Sequence, residues 1–216
     1  MGVSLIAERC LNSILYNDKK NKSFDELWRN MPHNIDYCSA NAQISLQKFP
    51  VDGGFHYYYI RQMNETYKNG NCRIYLHMDE REKKQILPNL QKESKGCEIM
   101  NGFSTPRSYT SHEEETREIV DLLIVRSTDY RILMSHLDVL EFPSTVDVCQ
   151  LNIVFSLPKA EEEQEFVEMI YALANGGKYL LYGATRDRQD LRMNVFLLNV
   201  HTPHCQQLFL RKFTID

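Results

Sequence analysis

A chain of 216 residues with 43% hydrophobic and 11% aromatic residues and a net charge of -4 can bury one sizeable core, which excludes a mainly disordered polymer. The slightly acidic balance gives no general attraction to polyanions, because such affinity comes mostly from Lys and Arg neutralising phosphates. No run reaches the roughly 20 apolar residues needed to cross a bilayer, so no membrane association is expected.

At the start, the first basic residue, Arg9, follows the apolar residues and sits beside Glu8. That is the wrong order for a secretory signal, and Ile6 stands where a myristoylation motif needs Ser or Thr. Six cysteines, Cys10, Cys38, Cys72, Cys97, Cys149 and Cys205, lie far apart with no CxxC pair. In a chain this long they read as reduced, mostly buried thiols of a cytoplasmic protein. Asn21-Lys22-Ser23 and Asn64-Glu65-Thr66 match the glycosylation sequon, a short pattern that matters only in a secreted chain.

Ser4 to Tyr16 places Leu5, Ile6, Cys10, Leu11, Ile14 and Leu15 at helical spacing and predicts an amphipathic helix. Ser23 and Glu26 form a capping-box pattern before a short helix over Phe24 to Asn30, which Met31-Pro32 is expected to end. Together these make a helical amino-terminal element, 1–40. From 41 to 93 the period becomes that of strands: one run around Ala42 to Leu46, then Phe55 to Met63 and Cys72 to Met78, read as an antiparallel meander. A short helix from Asp79 through Ile86 follows, with a bend at Pro88. Residues 94–109 have no periodicity and contain Gly96, Gly102 and Pro106, which predicts a mobile loop.

The remainder, 110–216, reads as two helices, over Thr116 to Val125 and from Asp129 to Leu140, before the strongest local pattern in the chain. Leu151 to Leu157 is a β-branched and aromatic run. Glu161 to Asn175 puts Phe166, Ile170, Leu173 and Ala174 on one helical face, and Lys178 to Gly183 is again strand-like. Leu191 to Val200 and Leu208 to Ile215 are expected to close a carboxy-terminal hairpin through the joint at His201 to Gln207. The fold class is therefore α+β: one domain with a mixed, largely antiparallel sheet flanked by helices, and one strand-helix-strand unit near the carboxy terminus.

Chemistry is sparse in this pattern. His201, His204 and Cys205 form the densest set of potential ligands, but a structural zinc site needs a fourth ligand that the sequence does not place near by. The expectation is thus no metal and no cofactor. His201 and His204 with Cys97, a thiol beside Lys95 in the loop, define an alternative hydrolase or nuclease site. Gly53 to Ile60 has a passing likeness to the aromatic strand of RNA-recognition domains, so Tyr57, Tyr59, Arg61 and Arg73 form a candidate surface for single-stranded RNA. The acidic clusters at Asp79, Glu80 and Glu82 and at Glu161 to Glu163 fall at predicted helix starts, where carboxylates are favourable on electrostatic grounds alone. Neither GxGxxG nor GxxxxGK[ST] occurs. The first expectation is a domain that binds a protein partner or a second copy of itself, through the Leu5, Leu11 and Leu15 stripe and the two-sided aromatic strand.

Overall fold

The computed structural model describes residues 7, 9–15, 23–40, 44, 46–51, 55–60, 72–94, 96–102, 118–126, 146–189 and 191–209. It is an α+β fold built on a mixed sheet flanked by helices. Residues 9–15 form α1, Phe24–Ser39 α2, Glu80–Glu93 α3, Glu163–Asn175 α4 and Pro203–Phe209 α5. The strands are β1 (Gln47–Pro50), β2 (His56–Tyr59), β3 (Cys72–His77), β4 (Cys97–Asn101), β5 (Glu118–Arg126), β6 (Val146–Ser156), β7 (Tyr179–Arg186) and β8 (Arg192–Asn199).

Six strands form the main sheet in the order β4-β3-β5-β6-β8-β7. The first four are parallel. β8 runs antiparallel to both β6 and β7, so β7 points the same way as β6 with the reversed strand between them. The unit β6-α4-β7 is the expected strand-helix-strand.

Alternation along the strands sorts the core into two faces. Leu123, Val125, Leu151, Ile153, Phe155, Val195 and Leu197 meet α1, α2 and α4. Ile74, Leu76, Leu122, Ile124 and Val154 meet α3 and the β1-β2 ribbon, and Leu180, Tyr182, Phe196 and Leu198 pack with α5. The ribbon does not join the sheet edge. Instead it lies over the sheet face, and side chains of the central strands serve as its hydrogen-bonding partners. Asn152 Oδ1 accepts from the Tyr58 amide at 2.9 Å and its Nδ2 donates to the Tyr58 carbonyl at 2.8 Å. Gln150 does the same for Ile60, at 2.6 and 3.3 Å.

Several local expectations fail where burial overrides propensity. Pro32 and Pro88 lie inside α2 and α3 instead of ending them. The apolar stripe continues past each proline, through Ile35 and Cys38 and through Leu90, all buried. Packing of that stripe outweighs the roughly 3 kcal/mol cost of an interior proline. The segment VDLLIV is strand β5 and not a helix. It lies between β3 and β6 and is covered on both faces, which explains an unbroken apolar run. The meander is partial: β1 and β2 pair antiparallel, whereas β3 leaves them for the parallel sheet. β4 occupies part of the expected loop. Helix α5 takes up the expected joint at His201 to Gln207 and buries Cys205, Leu208 and Phe209 on one side, and the rest of the expected last strand, from 210 onward, lies outside the described residues. The expected helix over Asp129 to Leu140 lies outside the described residues.

The expectation of reduced thiols is overturned. Cys10 bonds to Cys38, Cys72 to Cys97 and Cys149 to Cys205. These bonds tie α1 to α2, the starts of β3 and β4 to each other, and the central strand β6 to α5. Disulfides of this kind persist in oxidising surroundings, which speaks against the cytoplasmic expectation. No helix of the described residues is long and apolar enough to cross a membrane.

Candidate functional site

From β3 the chain passes through α3 to β4 on one side, and the next strand, β5, lies on the other side of β3. In open α/β sheets, the crevice outside the carboxyl ends of strands at such a divergence is where ligands bind. A cavity of about 360 Å³ occupies that place, lined by Leu76, His77, Met78, Asp79, Glu82, Lys83, Gly102 and Arg126. Its size lies within the ordinary range for small-molecule sites.

Each polar group there is placed by a local rule. Asp79 is the N-cap of α3, and its Oδ1 accepts from the Glu82 amide at 2.9 Å. Glu82, one turn into the helix, reaches across to Arg126 at the last position of β5 and pairs with its guanidinium. That pair is largely enclosed, at 17% and 13% side-chain exposure. Burial holds the Arg126 guanidinium below its ordinary pKa, with Tyr57, Asp79 and Asp187 opposing the shift. Glu82 Oε2 is buried with no hydrogen-bond partner among the described residues. Lys83 is bound to Glu80 at 2.6 Å, while burial and then Lys83 lower the His77 pKa, favouring a neutral imidazole. Gly102, at φ 77°, turns the chain out of β4 while its amide donates to the Leu76 carbonyl at 2.9 Å.

The start of α3 lacks the open amides of a phosphate site. A helix amino terminus is ordinarily an anion site, but here Asp79 already caps it and Glu80 and Glu82 fill its first turn. The joint His77-Met78-Asp79 has no glycine to bring backbone amides close to a pyrophosphate. The cavity is lined by the paired Glu82 and Arg126, Lys83, an imidazole held toward its neutral form and the apolar Leu76 and Met78.

The residues named from the sequence lie elsewhere. His201 and His204 stand at the turn into α5, where the Asn199 side chain accepts from the amides of His201 and Thr202 at 3.1 and 2.9 Å. That turn adjoins the amino end of β6, the opposite end of the sheet from the cavity. Cys97 starts edge strand β4, separated from β6 by β3 and β5, and its thiol is consumed by Cys72. The histidine and cysteine site is therefore not assembled. Among the described residues, no group of three or more His, Cys, Asp or Glu side chains could hold a metal.

Tyr57 and Tyr59 face inward, so neither ring is free to stack on a base. Tyr59 stacks on Phe49 at 4.2 Å and donates to Glu93 at 3.0 Å. Arg73 pairs with Glu118 at 3.0 Å on the surface. Leu11 and Leu15 are buried in the chain's own core. Leu5 and Arg61 lie outside the described residues.

No protein-family model matches the chain, and no curated protein does.

The sequence reading missed the residues that line the cavity. Asp79 and Glu82 were visible as a helix-start cluster, which is half of their role. Arg126 was hidden because β5 looked helical. A strand running directly into a capped helix, with no glycine between them, was the signal that was present.

Proposed function

We propose that the crevice at the ends of β3, β4 and β5 binds a small nucleoside-like ligand that carries no phosphate and presents hydroxyls or a positive charge. S-adenosylmethionine is the member of this class that fits best, and the chain is then a group-transfer enzyme acting on a second molecule. Such a donor combines ribose hydroxyls, a sulfonium and an ammonium. The observation that carries the reading is the carboxylate-capped start of α3 at the sheet's point of divergence, with Glu82 among the residues that line the cavity and its Oε2 unpartnered among the described residues. In α/β sheets of this kind, a polar side chain past the end of the neighbouring strand takes the ribose hydroxyls. Asn101, exposed at the end of β4 beside Gly102, has the carbonyl oxygen to do so. A sheet order by itself hosts many activities, so the weight falls on this chemistry. The three disulfides support a protein that folds and works in an oxidising compartment.

Calorimetric titration with S-adenosylmethionine, S-adenosylhomocysteine, ATP and NAD tests the reading. The two adenosyl compounds are expected to bind and the two phosphorylated ones to bind far more weakly. Glu82→Gln, which keeps the shape and removes the charge, should weaken the adenosyl compounds about tenfold, as loss of one charge-assisted contact implies. ATP binding as well as the adenosyl compounds, or Glu82→Gln leaving their affinity unchanged, overturns it.

A further inference from the structure

The geometry points to a second subsite beside the crevice, between Tyr57 and Arg192, that takes a carboxylate of the molecule meeting the cavity's ligand. Its role as the place of a co-substrate rests on the crevice reading above. Tyr57 is 1% exposed, and its hydroxyl makes no hydrogen bond to any described residue. A ligand oxygen would supply the partner that this hydroxyl lacks among the described residues. Burial, only partly offset by Arg126 and Arg192, pushes the phenol up to about 12. It therefore remains a hydrogen-bond donor at neutral pH.

Arg192 is mounted for the complementary task. Its Nε donates to Asp187 Oδ2 at 2.7 Å, while Asp187 Oδ1 accepts from the amides of Leu191 and Arg192 at 2.9 and 3.3 Å. Its guanidinium lies over the Phe55 ring at 5.4 Å, and Phe55 meets Tyr57 edge to face at 5.7 Å. The head group is thus fixed on two sides, and its terminal nitrogens have no partner among the described residues. Guanidinium nitrogens left in this state are suited to a carboxylate fork. Of the nearby acids, Asp187 is neutralised by Arg192, and Asp79 has one oxygen bound at the α3 cap.

An apolar lip adjoins this mount. Leu157 and Leu191 are 40% and 51% exposed, and the Leu157 amide donates to the Leu191 carbonyl at 2.7 Å. A carboxylate carried on an apolar body matches both features.

The test titrates benzoate and benzyl alcohol into the full chain by NMR at matched ionic strength, with S-adenosylhomocysteine measured separately. Benzoate is expected to bind the native chain and benzyl alcohol is not. Tyr57→Phe, which removes one oxygen, and Arg192→Gln should each raise the benzoate dissociation constant about tenfold, with S-adenosylhomocysteine affinity retained. Because Arg192→Gln also strips Asp187 of its partner and can cost stability, Tyr57→Phe is the deciding variant. Benzyl alcohol binding as well as benzoate, no benzoate binding, or benzoate affinity unchanged in Tyr57→Phe overturns the subsite. A chain that answers to benzoate but not to S-adenosylhomocysteine overturns the crevice reading alone.

Discussion

Two groups of polar side chains sit on this sheet, one buried and one half-buried, and they differ in how much hydrogen-bonding capacity they keep. The first is Gln150, Asn152 and Asn194, under the β2 ribbon. Their amides are spent on the backbone of Ile60, Tyr58 and His56 and on one another, leaving Asn194 Oδ1 as the one atom of the three side-chain amides without a partner. The second is Glu82, Arg126, Tyr57 and Arg192, at the carboxyl ends of the strands. There Glu82 Oε2 is buried without a partner among the described residues, while the tip of the part-exposed Arg192 remains open beyond its bond to Asp187. The first set is buried outright and the second is partly open to solvent, with Arg192 at 31% and Arg126 at 17% side-chain exposure, so burial does not mark the second set as functional. Unspent capacity does, because a buried donor or acceptor without a partner costs about 1–3 kcal/mol, and a folded chain retains that cost most readily where a ligand relieves it.

The largest expected effect comes from breaking the first group. Asn152→Leu preserves volume roughly but strands the amide and carbonyl of Tyr58 and one donor of Asn194. Two or more buried groups left unpaired should cost about 3–5 kcal/mol, read as a lower midpoint in guanidinium denaturation with little change in slope. A loss below about 1 kcal/mol would mean that ring packing by Phe55, Tyr57 and Tyr58 holds the ribbon and the amide ladder is incidental.

That ladder also marks where the sequence stops being legible. The β6-α4-β7 unit was visible because the apolar spacing agrees locally on strand, helix and strand. Asn152 inside the apolar run and Gln150 just before it were passed over, since nothing in a strand pattern says that an amide will pair with another strand's backbone. β5 was misread for a related reason. A strand covered on both faces loses its period of two, and LLIV then suits a helix equally well. The cavity depended on the order of strands in space, which a long-range topology decides and a local window does not contain. The cysteines were misjudged because pairing is three-dimensional: Cys72 and Cys97 are 25 residues apart in sequence yet directly opposite in register.

A smaller effect should separate the second group's charges by pH. Burial alone would raise the Asp187 pKa, but the Arg192 hydrogen bond and the amides of Leu191 and Arg192 outweigh it and hold the carboxyl below its usual 3.8. A depressed carboxylate contributes stability that is fully present above the unfolded pKa and is lost as pH falls through the folded one. Asp187→Asn is thus expected to cost about 1.5–3 kcal/mol at neutral pH, the range for a hydrogen bond to a charged group. The difference between native chain and variant should then shrink as pH drops below about 3.8. Denaturation curves from pH 7 to 2 would reveal it, and a gap that stays constant through the acid range would show that the carboxylate's charge is not what matters.

The smallest effect belongs to the rim of the cavity, where backbone conformation and side-chain space give separate answers. Gly102 has a φ of 77°, but a methyl group built on it meets nothing within 4 Å. Gly102→Ala should therefore cost only the left-handed backbone penalty, about 1–2 kcal/mol, with no clash added. If the ligand fills the space beside this residue, the new methyl group enters that volume, and affinity for the adenosyl compounds falls while ΔG of unfolding changes only by the backbone amount. Should affinity stay constant while stability drops as expected, the ligand keeps clear of β4, and the crevice would have to be read as centred on Glu82 and Arg126 alone.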